Sequence, residues 1–196
     1  MLDRLAVSRR PVVAAAVDGV LILLFANLTA LGAWISIPLP FSPVPITGQT
    51  LMVLLAGAIL GSRRGAASQL TYLVEGAAGL PVFAGGTAGV VRIVGPTGGY
   101  LIGFIVAAAL VGWLYEHGAS RRPLMGVGAM LVGNVVIYLL GVIWLTRFVG
   151  GDPRVALVQG VLPFIPGDIL KSLLAAGVIP SARWTLGRWT GRGEDI

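Results

Sequence analysis

The sequence predicts an all-α integral membrane protein, a six-transmembrane-helix bundle whose outer-face loops cap a ligand site. Three observations predict it: the composition, the apolar runs along the chain, and the placement of arginine between them. Of the 196 residues, 56% are hydrophobic and 11% are charged, whereas soluble domains carry about 25% charged residues. A soluble domain of this length has too little interior to bury so many apolar side chains. We therefore expect one transmembrane domain, residues 1–196, with lipid around much of its surface.

Six apolar runs mark the predicted spans. Several are shorter than the ~20 residues of an ordinary transmembrane helix, so the second to fourth are expected to borrow flanking residues or to lie in a locally thin region. Small residues four apart, such as Gly57 with Gly61 and Gly99 with Gly103, let helix backbones approach closely. The approximate spans are 12–37, 50–60, 65–80, 99–115, 124–146 and 166–186.

The arginines predict the orientation. With the N-terminus in the cytoplasm, ten arginines fall in the inner gaps and three in the outer gaps, which is the asymmetry of the positive-inside rule. Both termini are therefore expected to be cytoplasmic, with an even number of spans. The inner arginines are Arg4, Arg9, Arg10, Arg63, Arg64, Arg121, Arg122, Arg183, Arg188 and Arg192, and the outer ones are Arg92, Arg147 and Arg154.

The composition also excludes several classes of function. The net charge is +6, but the basic residues are scattered, whereas a nucleic-acid interface gathers them on one face. With no cysteine and one histidine, His117, thiolate and histidine metal sites are excluded. No serine, histidine and carboxylate set converges as a hydrolase requires. We therefore expect no metal, no cofactor and no nucleic-acid partner.

Two segments on the predicted outer face have unusual backbone chemistry. Residues 37–49, IPLPFSPVPITGQ, contain four prolines, which preclude a helix and favour an extended, stiff chain. This segment is either a lid or a rigid connector. Residues 79–100 are rich in glycine, so their backbone can approach a ligand closely, but they lack the GxxxxGK[ST] pattern of a nucleotide site. Within them, Arg92 is either a cation facing a ligand or an interfacial anchor.

A third outer segment, LPFIPGDILK at 162–171, gives the sharpest signal. Asp168 and Lys171 are three residues apart and share a face of a helix. A charge at the bilayer centre costs roughly 2.5 to 3.5 kcal/mol, so such residues normally face a protein interior or a watered cavity. The pair is either self-neutralising near a helix N-terminus or an acceptor and a donor for a polar ligand.

Other polar residues lie within the spans. Asn134 and Tyr138 are i, i+4 neighbours that either line the same cavity or form interhelical hydrogen bonds. Glu75 is a candidate proton or ion carrier, although a single carboxylate is little evidence for one.

Four outer motifs, IPLPFSPVPITGQT, GLPVFAGG, GPTGGYLIGF and LPFIPGDILK, together resemble the biotin-specific substrate-binding subunits (BioY) of energy-coupling factor (ECF) vitamin transporters. The resemblance runs from about Ala26 to Ala176. It implies a non-enzymatic S component of the bacterial cytoplasmic membrane, which captures biotin from outside and passes it inward by toppling in the bilayer. The implied partners are a transmembrane scaffold, contacted through an AxxxA pattern matched by Ala26 and Ala30, and two ATPase subunits that use the ATP.

The resemblance also implies roles for individual residues. Biotin has a ureido ring, an apolar thiophane and alkyl tail, and a carboxylate. Asp168 would accept from the ureido N–H groups, Lys171 would donate to the ureido oxygen or the carboxylate, and Arg92 would pair with the carboxylate. The remaining expected biotin-binding residues are Phe41, Val44, Phe83, Tyr100 and Phe164, which pack the apolar part, together with Gln49 and Asn134.

Three alternatives stay open. An S component for another vitamin, such as thiamine or riboflavin, has the same architecture, but a cationic ligand leaves Lys171 and Arg92 unexplained. A stand-alone carrier for a small solute predicts polar residues through the full depth of the bundle. An intramembrane enzyme acting on a lipid would use Glu75 or Asp168 as a general acid or base, but no nucleophile or metal set accompanies them.

Overall fold

The computed structural model describes residues 2–175, and for residues 2–11 and 121 it describes the backbone alone. In this range the chain is mostly helical. The last eleven residues of the predicted sixth span, 176–186, lie outside the described residues, as do Arg183, Arg188 and Arg192 and the side chains of Arg4, Arg9, Arg10 and Arg121. The elements are α1 (Leu2–Trp34), β1 (Ser36–Leu39), β2 (Ser42–Thr47), α2 (Gln49–Leu60), α3 (Ser62–Ala77), α4 (Val90–Val94), α5 (Gly98–Glu116), α6 (Pro123–Leu145), α7 (Pro153–Gly160) and α8 (Ile165–Ala175).

The predicted spans coincide with helices, but the lengths of the helices differ. Among the described residues, three helices are long and apolar enough to cross a membrane alone: Val12–Trp34, Gly98–Glu116 and Pro123–Phe148. A fourth span arises if α7 and α8, which are bent by 51° across a short break, are counted as one. Helix α2 has 12 residues and is about 18 Å long, against a hydrocarbon core of about 30 Å. The structure thus supports a multi-pass membrane protein, and the count of six spans remains a prediction.

The proline-rich segment forms a β-hairpin, so the all-α prediction is wrong at this point. Strands β1 and β2 pair antiparallel, with Ser36 opposite Thr47 and Leu39 opposite Ser42. Residues before proline are restricted to extended backbone, and proline ends a helix. For the same reason α1 ends at Trp34, three residues before the predicted boundary at residue 37.

The hairpin contacts α1 through two glycines, Gly32 and Gly48, whose lack of a side chain lets the two backbones touch. A Cβ on Gly32 of α1 would lie 3.0 Å from the backbone of Gly48, and the amide N–H of Gly48 donates to the carbonyl of Gly32 at 2.9 Å. The end of β2 and the start of α2 are therefore bonded directly to the last turn of α1. This contact sets the position of Thr47, Gln49 and Thr50, which line the cavity of the candidate site.

Helices α2 and α3 are joined by a single residue, Gly61. Its φ of 83° lies in the left-handed region, where glycine is favoured. At the same end of the molecule, Arg64 Nε lies 3.0 Å from Asp18 Oδ2. The first half of α1 therefore lies beside the beginning of α3.

The main core surrounds Tyr72, Tyr100 and Phe104, and it includes Ala26 and Ala30 of α1. Ala26 is fully buried and Ala30 is 6% exposed, because α1 packs against α2 and α3 along this face. In this conformation their side chains face the interior of their own chain, and their contact with a partner scaffold stays a prediction.

Candidate ligand-binding site

A cavity lies where the hairpin, the glycine-rich loop and helices α5, α6 and α8 converge. Its volume is about 110 Å³, whereas a single water needs roughly 10 to 15 Å³, so it has room for a small organic molecule. The lining residues are Pro43, Val44, Pro45, Thr47, Gln49, Thr50, Phe83, Ala84, Thr87, Arg92, Thr97, Tyr100, Leu101, Phe104, Ile137, Tyr138, Phe164, Asp168 and Lys171.

The carboxylate of Asp168 is the most buried charge of this cavity, since its side chain is 5% exposed. Oδ1 accepts from Thr50 Oγ1 and from Lys171 Nζ, each at 2.8 Å, and Oδ2 accepts from Tyr138 Oη at 2.5 Å. Three elements, α2, α6 and α8, therefore hold one carboxylate. Burying a charge is tolerable only when it is paired and hydrogen-bonded, and Asp168 meets both conditions.

All three donors of Lys171 are in use. Its Nζ donates to the Thr47 carbonyl at 2.6 Å, to Asp168 Oδ1 at 2.8 Å and to Thr50 Oγ1 at 3.1 Å. An ammonium has three donors, so each has a partner. Lys171 and Asp168 thus neutralise each other, and Lys171 also bonds to Thr47, the last residue of the hairpin.

The local sequence explains why the pair lies at the beginning of α8. Pro166 suits the first turn of a helix, where an N–H would have no partner, and the carboxylate of Asp168 is favoured near the N-terminal end of the helix dipole. One turn on, Ser172 Oγ donates to the Asp168 carbonyl at 2.7 Å and accepts from Asn134 Nδ2 at 3.0 Å. Asn134 therefore supports the backbone of α8 from α6.

Gln49 joins the cavity to α3. Its Nε2 donates to Tyr72 Oη at 2.6 Å, and its Oε1 accepts from Thr47 Oγ1 at 2.9 Å. Gln49 is buried, and these bonds use its amide to fix the junction between β2 and α2. The carbonyl of Thr47 is thereby directed at Lys171.

The apolar wall consists of aromatic side chains held by glycines. The ring of Phe83 lies directly on Gly76, and it meets Tyr72 edge to face at 5.5 Å between ring centroids. The ring of Tyr100 lies on Gly141, and its hydroxyl donates to the Gly160 carbonyl at 2.9 Å. Because a side chain at either glycine would overlap the ring, the shape of this wall depends on their lack of a Cβ.

Arg92, on the short helix α4, supplies the second cation of the cavity. It is exposed, and no ion pair or hydrogen bond joins its guanidinium to another residue in the part of the chain that the structure describes. It is therefore available to a ligand, and guanidinium groups bind carboxylates through two parallel hydrogen bonds.

The structure brings most of the predicted site residues together. Phe41 is an exception: it lies at the turn of the hairpin, 55% exposed, and does not line the cavity. Asn134 is the other, since it is buried behind Ser172. The eight predicted residues that line the cavity are Val44, Gln49, Phe83, Arg92, Tyr100, Phe164, Asp168 and Lys171.

Thr47 and Thr50, two polar residues beside the ion pair, were not among the predicted site residues. Tyr138, for which lining the cavity was one of two alternatives, does line it. The threonines carried no signal in the sequence, because Thr47 contributes a backbone carbonyl and Thr50 is an ordinary residue for a membrane helix. Glu75, the alternative carboxylate, does not line the cavity.

The arrangement is suited to binding. It offers a neutralised acceptor and donor pair, an apolar wall and one unpaired cation, so its net charge of about one positive unit fits a monoanion with a neutral polar head. Among residues 12–175, no group of three or more histidine, aspartate and glutamate side chains is placed to hold a metal.

Comparisons with known proteins identify the family. Residues 7–188 match the BioY family. The chain is 45% identical over 155 residues to a probable biotin transporter BioY of Pyrococcus horikoshii, covering 79% of this chain and 89% of the relative. It is 43% identical over 153 residues to the biotin transporter BioY of Thermotoga maritima, covering 78% and 88%.

The fold of this chain is also similar to that of a solved structure. The crystal structure of the S-component for biotin from an ECF-type ABC transporter superposes with a TM-score of 0.80 at 26% identity, covering 86% of this chain and 92% of that one. The match to the family model and the identity to these relatives show that this chain belongs to the BioY family.

Proposed function

We propose that this chain captures biotin with high affinity and is the substrate-binding S component of an ECF-type transporter for that vitamin. The observation that carries the proposal is the charge pattern of the cavity, in which Asp168 and Lys171 neutralise each other and Arg92 adds a cation. Biotin has the matching groups: a neutral ureido ring, an apolar body and one carboxylate. The names and structure of the relatives support the same ligand.

Each end of biotin has a partner in this proposal. Asp168 accepts from a ureido N–H, and Lys171 donates to the ureido oxygen in exchange for one of its three present hydrogen bonds. Phe83, Tyr100 and Phe164 pack the thiophane ring and the alkyl tail. Arg92 pairs with the carboxylate. A cationic vitamin such as thiamine has no partner for Arg92, which is why an anionic ligand fits better.

The proposal includes the membrane arrangement and the partners. Six spans place both termini in the cytoplasm and the cavity toward the outside, supported by the asymmetry of the arginines. Transport then requires an energy-coupling module with a transmembrane scaffold and two ATPases, and the chain topples in the bilayer when bound to it. The expected contact of Ala26 and Ala30 with the scaffold stays a prediction, and because both are buried in this conformation it requires a local change in the packing of α1.

Isothermal titration of the full chain in detergent tests the ligand and the ion pair. Wild-type protein is expected to bind biotin with submicromolar Kd, whereas Asp168→Asn and Lys171→Ala weaken binding by about tenfold or more, the value of a hydrogen bond to a charged group. Unchanged submicromolar binding in both variants would show that the pair does not contact biotin. Binding of thiamine or riboflavin in preference to biotin would show that biotin is not the ligand.

Arg92 has a matched control in Arg147, an outer arginine that lies over the ring of Trp144 at 4.9 Å and does not line the cavity. Arg92→Ala is expected to weaken the binding of biotin by about tenfold and to leave the binding of the neutral amide of biotin unchanged. Arg147→Ala is expected to bind both as wild type does. Equal losses for biotin and its amide in Arg92→Ala would contradict a carboxylate contact.

Uptake experiments separate the transport subunit from a stand-alone carrier. Membranes that contain the chain together with an ECF scaffold and its ATPases are expected to accumulate labelled biotin with ATP, and membranes with the chain alone are not. Accumulation of equal rate and extent without the module would favour the carrier.

A further inference from the structure

The hydrogen bonds of Asp168 limit what its carboxylate can still accept. A carboxylate has about four acceptor positions, two on each oxygen. Oδ1 uses both, for Thr50 Oγ1 and Lys171 Nζ, while Oδ2 uses one, for Tyr138 Oη. One position therefore remains, on Oδ2, beside the hydroxyl of Tyr138.

Tyr138 and Thr50 also fix the direction in which this open position points. They approach the carboxylate from α6 and α2, on opposite oxygens, so its plane cannot turn about the side-chain bond without losing a short hydrogen bond. Lys171 shares Oδ1 with Thr50 and has no unused donor. The carboxylate is thus both nearly saturated and oriented before any ligand arrives.

We propose that Tyr138 is a positioning residue that leaves Asp168 a single oriented acceptor, so that the site distinguishes between the two N–H groups of a cyclic urea. This inference rests on the proposed function. One N–H of the ureido ring donates to Asp168 Oδ2 next to Tyr138 Oη, and the other N–H donates no hydrogen bond to this carboxylate.

Two analogues of biotin, methylated on one or the other ureido nitrogen, test the proposal in titrations of the full chain. In the wild type, one methyl group is expected to weaken binding by about tenfold or more, the value of a hydrogen bond to a charged group, and the other much less. In Tyr138→Phe the carboxylate is held through Oδ1 alone and can turn to either N–H. The difference between the two analogues is expected to fall below about threefold.

Tyr100→Phe is the matched control, since it removes another buried hydroxyl of the cavity wall, but one that is bonded to Gly160 rather than to Asp168. Whatever its effect on affinity, it is expected to preserve the difference between the analogues. Thr50→Val opens a position on Oδ1 and is expected to reduce the difference as Tyr138→Phe does, while Thr50→Ser, which keeps the hydroxyl, restores it.

The outcomes are separable. If the wild type does not bind biotin, the proposed function fails. If the wild type binds biotin and Tyr138→Phe retains the full difference between the analogues, the discrimination is steric and the role of Tyr138 is overturned, while the proposed function stands. Should Tyr138→Phe not fold, Thr50→Val and Thr50→Ser decide the same question.

Discussion

The hydroxyl of Tyr100 donates to the carbonyl of Gly160 across 2.9 Å, so the first turn of α5 is bonded to the last residue of α7. The chain leaves α7 at this point and enters α8 through residues 161–164, and α8 carries the ion pair of the cavity. The contact therefore links the aromatic wall to the bend that positions Asp168 and Lys171.

Gly160→Ala is expected to destabilise the protein, because a Cβ there would overlap the Tyr100 hydroxyl. Overpacking of this kind costs about 1 to 3 kcal/mol, and in a chain of this size each kcal/mol lowers Tm by roughly 2 to 4 °C. Thermal unfolding in detergent measures the shift. Gly167→Ala is the control: nothing lies within 4 Å of its Cβ position, so its Tm should not fall. Equal Tm values for the two variants would contradict the tight contact at Gly160.

Gly76→Ala is expected to weaken ligand binding, because the ring of Phe83 occupies the place of the new methyl group. The ring must move into or away from the cavity, and shape changes in a packed site cost about 1 to 3 kcal/mol. Titration with biotin gives the change in Kd. Gly19→Ala, a helical glycine with open space around it, is expected to bind as wild type does, and a similar loss there would show that the effect is not local to Phe83.

The hairpin is expected to control how fast a ligand leaves. Ser42 Oγ donates to the Gln159 carbonyl at 2.9 Å, and Pro43, Val44 and Pro45 of the same hairpin line the cavity. Ser42→Ala removes this bond, which is worth about 1 kcal/mol, or roughly fivefold in rate. We expect faster release of labelled biotin in a chase experiment. Ser36→Ala, at the other end of the hairpin, should release biotin at the wild-type rate, and unchanged release in Ser42→Ala would argue for a rigid connector.

The ion pair is expected to affect the stability of the ligand-free protein. Lys171→Met leaves the buried Asp168 carboxylate without its cation, which costs about 3 kcal/mol or more. The double variant Asp168→Asn with Lys171→Met removes both charges and is expected to recover part of that loss. Tm values of the ligand-free proteins measure both changes. A double variant no more stable than Lys171→Met would contradict the unpaired carboxylate as the cause of the loss.

Much of this architecture is predictable from the sequence, because helix-length apolar runs and proline placement act locally. The runs at 99–115 and 124–146 match α5 and α6 within a residue at each end, since both are bounded by glycine, proline or charge. The hairpin was predicted as extended chain and not as a sheet, because pairing of Ser36 with Thr47 depends on a turn whose geometry the prolines do not specify alone.

The candidate site was predictable to the extent that its chemistry is carried by rare side chains. Asp168, Lys171 and Arg92 stand out because charges are costly in a membrane. The carbonyl of Thr47 has no signature in the sequence. Phe41 was assigned to the site as an aromatic side chain that could pack the apolar part of the ligand, but it lies in the turn between β1 and β2, where its side chain is exposed.

The bond from Lys171 to the carbonyl of Thr47 couples ligand binding to the position of the hairpin. Thr47 is the last residue of β2, and all three donors of Lys171 are in use. A ligand that takes a hydrogen bond from Lys171 therefore competes with one of these acceptors, and a ligand that displaces the Thr47 carbonyl removes a bond between β2 and α8.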